Sequence, residues 1–409
     1  MLPTLVFAFF ALTSVATAAH APRVPSKSAI RAAAKADGID LDILPFAERA
    51  LDSIQAIATP VPQPENNGTK VDVHIHINPD WYHQIAPVAG QNPTPNWTLP
   101  GHLQFMANEG TRKSVISIST PGTVVYVGDE AKSAALARLL NEYMAALQTV
   151  YPQRFAFYAA TPLPYVNASI TEARYAVEKL GATGVGLLTN HEGYYLGNTT
   201  FFPFFEAVNS FGKHKNIIFV HATDPCLHAS NGSLISANPS TFTSIHSTSS
   251  PLLVPAEADP SIVAAYAAGL IEFYFETART LRDVTLSGTL LNFTSLHWVA
   301  AQIGGSFPSI IDRFITRETS DFQNAAKTAY RQRIWWESAG TTYLDQVQGL
   351  LAYGVPKTQL LFGTDYPYAP VPEVVYQSYA GEIQNATFLT EAEKQGVFST
   401  NARNLFGPI

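Results

Sequence analysis

Two histidines one residue apart, His74 and His76, end the apolar run KVDVHIHI (70–77). On an extended strand, alternate side chains share a face, so both imidazoles point the same way. Such a pair suits chelation of a divalent metal. A third imidazole, His221, ends the run NIIFVH (216–221), and a carboxylate, Asp365, follows the run QLLFGT (359–364). Three histidines and one aspartate converging on one mouth would make a zinc-type catalytic site with room for water or substrate. The other reading is a set of hydrogen-bonded core histidines.

The convergence requires an architecture that brings distant strand ends together. Besides these three, short β-rich runs lie at 114–119, 154–160, 183–188, 297–302 and 334–338. Helix-periodic stretches such as 131–150 and 169–180 separate them. Strands alternating with helices imply βαβ units and a parallel sheet. Eight such runs predict an α/β fold, a (β/α)8 TIM barrel, in which function sits at the C-terminal ends of the strands. A doubly wound open sheet is the alternative, but its Gly-rich first turn is missing.

The organisation before the barrel differs. Residues 5–15 (LVFAFFALTSV) form an apolar run, too short to span a bilayer, followed by the small residues Ala16-Thr17-Ala18. This predicts a secretory signal peptide over 1–18. Residues 19–66 read as an arm and linker, with one or two short helices over 28–57, and the barrel domain occupies 67–409. A propeptide is the alternative for the arm. No later uncharged apolar run approaches ~18 residues, so no membrane span is expected. Seven N-x-S/T sequons begin at Asn67, Asn96, Asn167, Asn198, Asn231, Asn292 and Asn385. Chance would give roughly two or three, so we expect a secreted or vesicular glycoprotein.

The 409 residues are 46% hydrophobic and 14% charged, with a formal net charge of −7. Mild acidity without a basic cluster argues against nucleic-acid binding. A single cysteine, Cys226, excludes an intramolecular disulfide and multi-cysteine metal sites. We read it as a structural thiol.

Seven stretches carry a resemblance: VDVHIHINPDWY (71–82), SVISISTPG (114–122), LLTNHEGYYLGN (187–198), IIFVHATDP (217–225), IEFYFETART (271–280), IGGSFPSIIDR (303–313) and LLFGTDYPY (360–368). With the closing NARNLF (401–406), they resemble the amidohydrolase superfamily. The likeness is to its metal-dependent decarboxylases, among them amino-carboxymuconate-semialdehyde decarboxylase and the fungal 6-methylsalicylate decarboxylases. The resemblance implies His74, His76, His221 and Asp365 as ligands of one divalent metal, zinc first and manganese as the alternative. It implies decarboxylation of a small aromatic acid without an organic cofactor, and a homodimer.

One position departs from the family. Its motif H-x-G-G-x-x-P is here Gln302-Ile303-Gly304-Gly305-Ser306-Phe307-Pro308, so glutamine stands where the catalytic histidine is expected. Glutamine hydrogen-bonds but cannot shuttle a proton. We therefore assign proton transfer to Asp365 and substrate orientation to Gln302 and Arg279. Glu276 stands where related decarboxylases tend to have aspartate. Arg279 steers a substrate carboxylate or simply pairs with Glu276 at i, i+3. Trp81 and His191 are further candidates for the pocket wall; plain loop packing is the alternative for Trp81. His102, His83, His214, His228 and His246 read as ordinary surface or loop histidines. Two other functions stay open because of Gln302. One is a metal-dependent hydrolase of an ester, lactone or amide. The other is a catalytically weakened protein that binds an aromatic ligand.

Overall fold

Each predicted run forms a strand in the computed structural model, which describes residues 23–409 apart from 87, 90–91, 229–233, 237–268, 270 and 369–378. The strands are β1 (Lys70–Ile77), β2 (Thr111–Ile118), β3 (Phe155–Ala160) and β4 (Gly184–Leu188). Then come β5 (Ile217–His221), β6 (His297–Ala300), β7 (Ile334–Glu337) and β8 (Leu360–Leu361). They pair in chain order, every pair parallel. The seam between β8 and β1 is closed by Val73 N–H on the Phe362 carbonyl at 3.0 Å and His76 N–H on the Tyr366 carbonyl at 2.7 Å. The sheet is a barrel without a free edge, as expected.

Helices wrap it: α1 (Lys27–Ala36), α2 (Ala47–Ile57), α3 (Leu99–Glu109), α4 (Glu130–Val150), α5 (Val166–Glu178) and α6 (Phe202–Asn209). The second half adds α7 (Glu272–Leu286), α8 (Phe307–Ile315), α9 (Ser320–Gln332) and α10 (Gln346–Leu351). α11 (Tyr379–Asn385), α12 (Glu391–Gln395) and α13 (Asn401–Phe406) follow β8. Local chemistry sets the helix ends. α3 starts where the Thr98 hydroxyl accepts the Gly101 N–H, and it stops at Gly110, whose φ of 66° only glycine adopts cheaply.

Two apolar layers form the core. Side chains such as Val73, Val115, Tyr158, Phe219 and Val299 fill the barrel lumen, where Leu405 and Phe406 of α13 join them. That plugs the lumen toward the N-terminal strand ends and leaves the opposite mouth for chemistry. The second layer lies between strands and helices and includes the arm. Ile30 and Ala34 of α1, and Leu51 and Ile54 of α2, are fully buried in it. A charged tie reinforces the arm: Arg138 of α4, wholly buried, bonds Glu172 of α5 at 2.9 Å and Asp37 after α1 at 2.6 Å. Its guanidinium stacks 3.6 Å from the Tyr175 ring.

The expected signal peptide (1–18), the start of the arm, the sequon at Asn231 and His246 lie outside the described residues. One expectation needs correction: His102 is not a surface histidine. It is fully buried, accepts the Trp97 indole N–H at 3.0 Å on Nδ1, and is kept neutral by burial, its pKa pushed down to about 3.

Candidate metal centre

β1 does not alternate regularly. Its partners on β2 step from Asp72 with Ser114 to Ile75 with Ile116, so β1 carries one extra residue. This bulge switches the face that alternate residues occupy. Val71 and Val73 point into the lumen, while beyond the bulge Ile75 and Ile77 turn outward to the helix layer. His74 and His76 are thereby aimed inward. Buried Asp72 pins the irregular step: one carboxylate oxygen accepts the His74 N–H at 3.1 Å and the other the Thr364 hydroxyl at 2.6 Å.

The four predicted ligands meet at the mouth. His74 Nε2 is 3.2 Å from His76 Nε2, which is 3.1 Å from His221 Nε2. Asp365 Oδ1 lies 3.3 Å from His74 Nε2 and 3.1 Å from His76 Nε2. The histidines are fully or nearly buried and the Asp365 side chain is 22% exposed. Metal–ligand bonds of ~2.0–2.2 Å at right or tetrahedral angles give ligand–ligand edges of about 2.8–3.6 Å. The observed edges fall in that range. Three nitrogen lone pairs and a carboxylate turned toward one another in a buried site repel unless a cation lies between them. The donor set therefore fits one divalent ion.

Hydrogen bonds on the far ring nitrogens hold this arrangement. His221 Nδ1–H donates to the Ala222 carbonyl at 2.6 Å, and the Ser117 hydroxyl lies 3.0 Å from His76 Nδ1. His74 Nδ1–H donates to Glu337 Oε1 at 2.8 Å. Burial lowers the pKa of His76 and of His221, keeping both neutral. Burial also opposes charge on His74, but Glu337 and Asp365 outweigh it and raise its pKa to about 10. A cation held between the four ligands would take the place of the proton on His74 Nε2, and Nδ1–H would stay on Glu337. Burial raises the Asp365 carboxyl too; the adjoining His74 and His76 prevail and hold it well below the usual carboxylate range.

Glu337 is a site residue that strand pattern alone did not reveal. It ends β7, is fully buried, and besides His74 it accepts the Gln302 N–H at 2.6 Å and the Ala339 N–H at 2.7 Å. The available signal was a carboxylate closing the otherwise apolar run IWWE, at the strand end where barrels keep their chemistry.

Gln302 falls in a strained turn after β6. It and Ile303 adopt φ of 56° and 54°, a conformation costly for residues other than glycine. Gln346 donates through Nε2 to the carbonyls of Gln302 and Gly305, both at 2.8 Å. The Gln302 side-chain oxygen is buried with no partner among the described residues.

The remaining candidates separate. His191 is buried, held neutral by burial at a pKa of about 3, and lines a cavity of about 30 Å³. Ser117, Tyr158, Gly186, Phe219 and His221 also line this cavity, which adjoins the metal ligands. Arg279 pairs through Nε with buried Glu276 at 2.8 Å and keeps a side chain that is 47% exposed. Tyr195 donates its hydroxyl to the other Glu276 oxygen at 2.7 Å. Trp81 is 1% exposed and stacks on Phe46 with ring centroids 5.7 Å apart, so it packs in the core instead of offering an open wall.

The chain is similar to known proteins. "Decarboxylase yanB" of Aspergillus niger is 28% identical over 358 residues, covering 82% of this chain and 87% of the relative. A "6-methylsalicylic acid decarboxylase", acuB of Aspergillus aculeatus, is 25% identical, covering 82% and 96%. The crystal structure of a dihydroxybenzoic acid decarboxylase from a Polaromonas species, with bound manganese and the inhibitor 2-nitroresorcinol, superposes with a TM-score of 0.60. It is 17% identical and covers 83% of this chain and 97% of its own. The amidohydrolase family model matches residues 71–407. Barrel, ligand geometry and family match agree, and the chain belongs to the amidohydrolase family.

Proposed function

We propose that this chain is a metal-dependent carboxy-lyase that removes carbon dioxide from a small aromatic acid, an ortho-hydroxybenzoate of the 6-methylsalicylate type. The observation that carries this reading is the set His74, His76, His221 and Asp365 at the barrel mouth of a chain whose relatives are named decarboxylases. Those residues would hold one divalent cation, zinc first and manganese second. The cation, when bound, supplies fixed positive charge to the phenolic and carboxylate oxygens of the substrate.

Asp365 serves as the acid–base group. It is anionic at rest, for the reason given above, and takes up the phenol proton because a cation held by the four ligands would acidify that phenol. It then returns that proton to the ring carbon bearing the carboxylate. Protonation there interrupts aromaticity. The carbon–carbon bond breaks, its electron pair restores the ring, and carbon dioxide leaves. Gln302 hydrogen-bonds the substrate through a side chain whose oxygen has no partner among the described residues. Arg279 meets a substrate carboxylate with the guanidinium nitrogens that Glu276 leaves free. His191 walls a small cavity beside His221 with room for a ring substituent such as a methyl group.

The test is carbon dioxide release from a panel of ortho-hydroxybenzoates by the metal-loaded chain, with a chelated control. Chelator-sensitive release supports the reading; no release from metal-loaded protein refutes it. Gln302 also favours a second reading, hydrolysis of an ester, lactone or amide on the same centre, and the same preparation tested on lactones distinguishes the two.

The proposal extends to location and assembly. Among the described sequons, Asn67, Asn96, Asn167, Asn292 and Asn385 are exposed and Asn198 is half-buried, which supports N-glycosylation in the secretory pathway. A mobility shift on deglycosylation of chain secreted by a eukaryotic host tests this. The family resemblance and the exposed apolar side chains Phe275 and Leu344 support a homodimer, which light scattering checks.

A further inference from the structure

We propose that Tyr274 is a catalytic hydrogen-bond donor that works beside Gln302, contacting the substrate carboxylate where the family motif would place its histidine. The inference rests on the decarboxylase reading and deepens it.

Tyr274 lies in the first turn of α7 and is clamped at both ends by glycines from other loops. At its backbone, the Ser306 N–H donates to the Tyr274 carbonyl at 3.0 Å. A Cβ on Gly305 would come within 2.2 Å of that carbonyl oxygen, so the turn after β6 and the start of α7 meet in direct backbone contact. At its other end, a Cβ on Gly340 would lie 2.3 Å from the Tyr274 hydroxyl and 3.9 Å from Gln302 Cγ. The hydroxyl and the Gln302 side chain therefore share the space over Gly340, in the loop that leaves β7 just after Glu337. Glu337 in turn bonds both Gln302 N–H and His74. The phenol is thus built into the same frame as the metal ligands.

Its chemistry suits a donor. The Thr341 backbone hydrogen-bonds to the hydroxyl oxygen, and no acceptor for the O–H is found among the described residues. Burial, then the charges of Glu337 and Asp365, push the pKa up to about 12, so the proton stays on oxygen at neutral pH. A half-buried phenol whose proton has no acceptor among the described residues can donate to a carboxylate entering the mouth. Glutamine at 302 contributes an amide but no acidic proton, and Tyr274 supplies a protic group next to it.

The test compares wild type, Y274F and Y274F/Q302H as metal-loaded full chains. The readouts are kcat and KM on a 2-hydroxybenzoate, metal stoichiometry, Tm, and the Kd of two probes: benzoate, which bears a carboxylate, and catechol, which does not. We expect Y274F to lose about 10–100-fold in kcat/KM, with metal content and Tm unchanged. Benzoate binding should weaken and catechol binding should not. Q302H should recover about tenfold or more of the loss, since imidazole restores a protic group at the same place. Wild-type kcat and KM in Y274F would overturn the proposal. So would a Y274F that loses metal or unfolds, because the role would then be structural. If wild type itself releases no carbon dioxide, the decarboxylase reading fails. The paired Kd values would still decide the donor: equal changes for both probes reject it, and a selective loss of benzoate supports it.

Discussion

Replacing Glu337 by glutamine should weaken metal binding with little change in shape. The wild-type carboxylate accepts three N–H groups in a fully buried position: His74 Nδ1–H at 2.8 Å, Gln302 N–H at 2.6 Å and Ala339 N–H at 2.7 Å. The first two share Oε1 and the third uses Oε2. An amide retains only one acceptor oxygen. Facing that oxygen to His74 sets the amide NH₂ against the Ala339 N–H, two donors in contact. Facing it to Ala339 leaves His74 and Gln302 without an acceptor. Either choice costs about 1–3 kcal/mol for the group left unpaired. The lost negative charge also makes the His74 ring a poorer donor to a cation. Removing such a partner typically costs 10–100-fold in metal affinity, about 1.4–2.7 kcal/mol. The assay is competition for zinc against a chelator of known affinity, with Tm of the metal-free protein recorded alongside. An E337Q chain that keeps its metal-free Tm and binds zinc within about threefold of wild type would refute the argument that Glu337 sets His74.

Other expectations follow from the same geometry. At Gly186 a Cβ would meet Tyr158 Cβ at 3.4 Å, ordinary contact, so G186A should fold while narrowing the cavity beside His221. KM for a ring-methylated substrate should rise about tenfold while the unsubstituted acid is little affected, as steady-state kinetics will show. Phe46→Ala should destabilise the protein by about 3 kcal/mol in a denaturant titration, through loss of the stack that carries Trp81. Lys113, nearly buried and donating to the Pro152 carbonyl at 2.6 Å, has its pKa lowered to about 8 by burial. A depressed lysine pKa means the folded state gains stability as pH rises from about 8 toward the unfolded value, 10.5. The stability difference between wild type and K113M should therefore move in favour of wild type over that range. A flat difference would show that Lys113 is not penalised when charged.

The ligand set was legible because each member closes a short apolar run, and a parallel barrel brings those ends together. Glu337 was harder to see. A carboxylate after Trp335 and Trp336 has no periodic signature, and its value depends on three N–H groups from separate parts of the chain. Tyr274 was hidden for a similar reason: its neighbours are glycines, whose importance lies in what they leave room for. The inward aim of His74 and His76 agreed with alternation, yet the strand reaches it through a bulge no alternation rule contains. His102 misled because a polar residue in a turn-flanked helix looks solvated until tertiary packing covers it. Arg279 kept both of its readings, since a pair at i, i+3 can also present its free nitrogens to a ligand.

The arm carries a consequence for how the molecule is made. Asp37 reaches its partner Arg138 across 101 positions of chain, and Phe46 reaches Trp81 only after β1 has turned the corner of the barrel. The arm, which precedes the barrel in the chain, therefore has nowhere to dock until much later chain has emerged. Until then the buried faces of α1 and α2 stand open to solvent, and contacts of such long range form slowly. A chain trimmed to the barrel would avoid the wait and lose the cover. The surface of α4 under the arm would be left bare, a large apolar patch of the kind that drives aggregation.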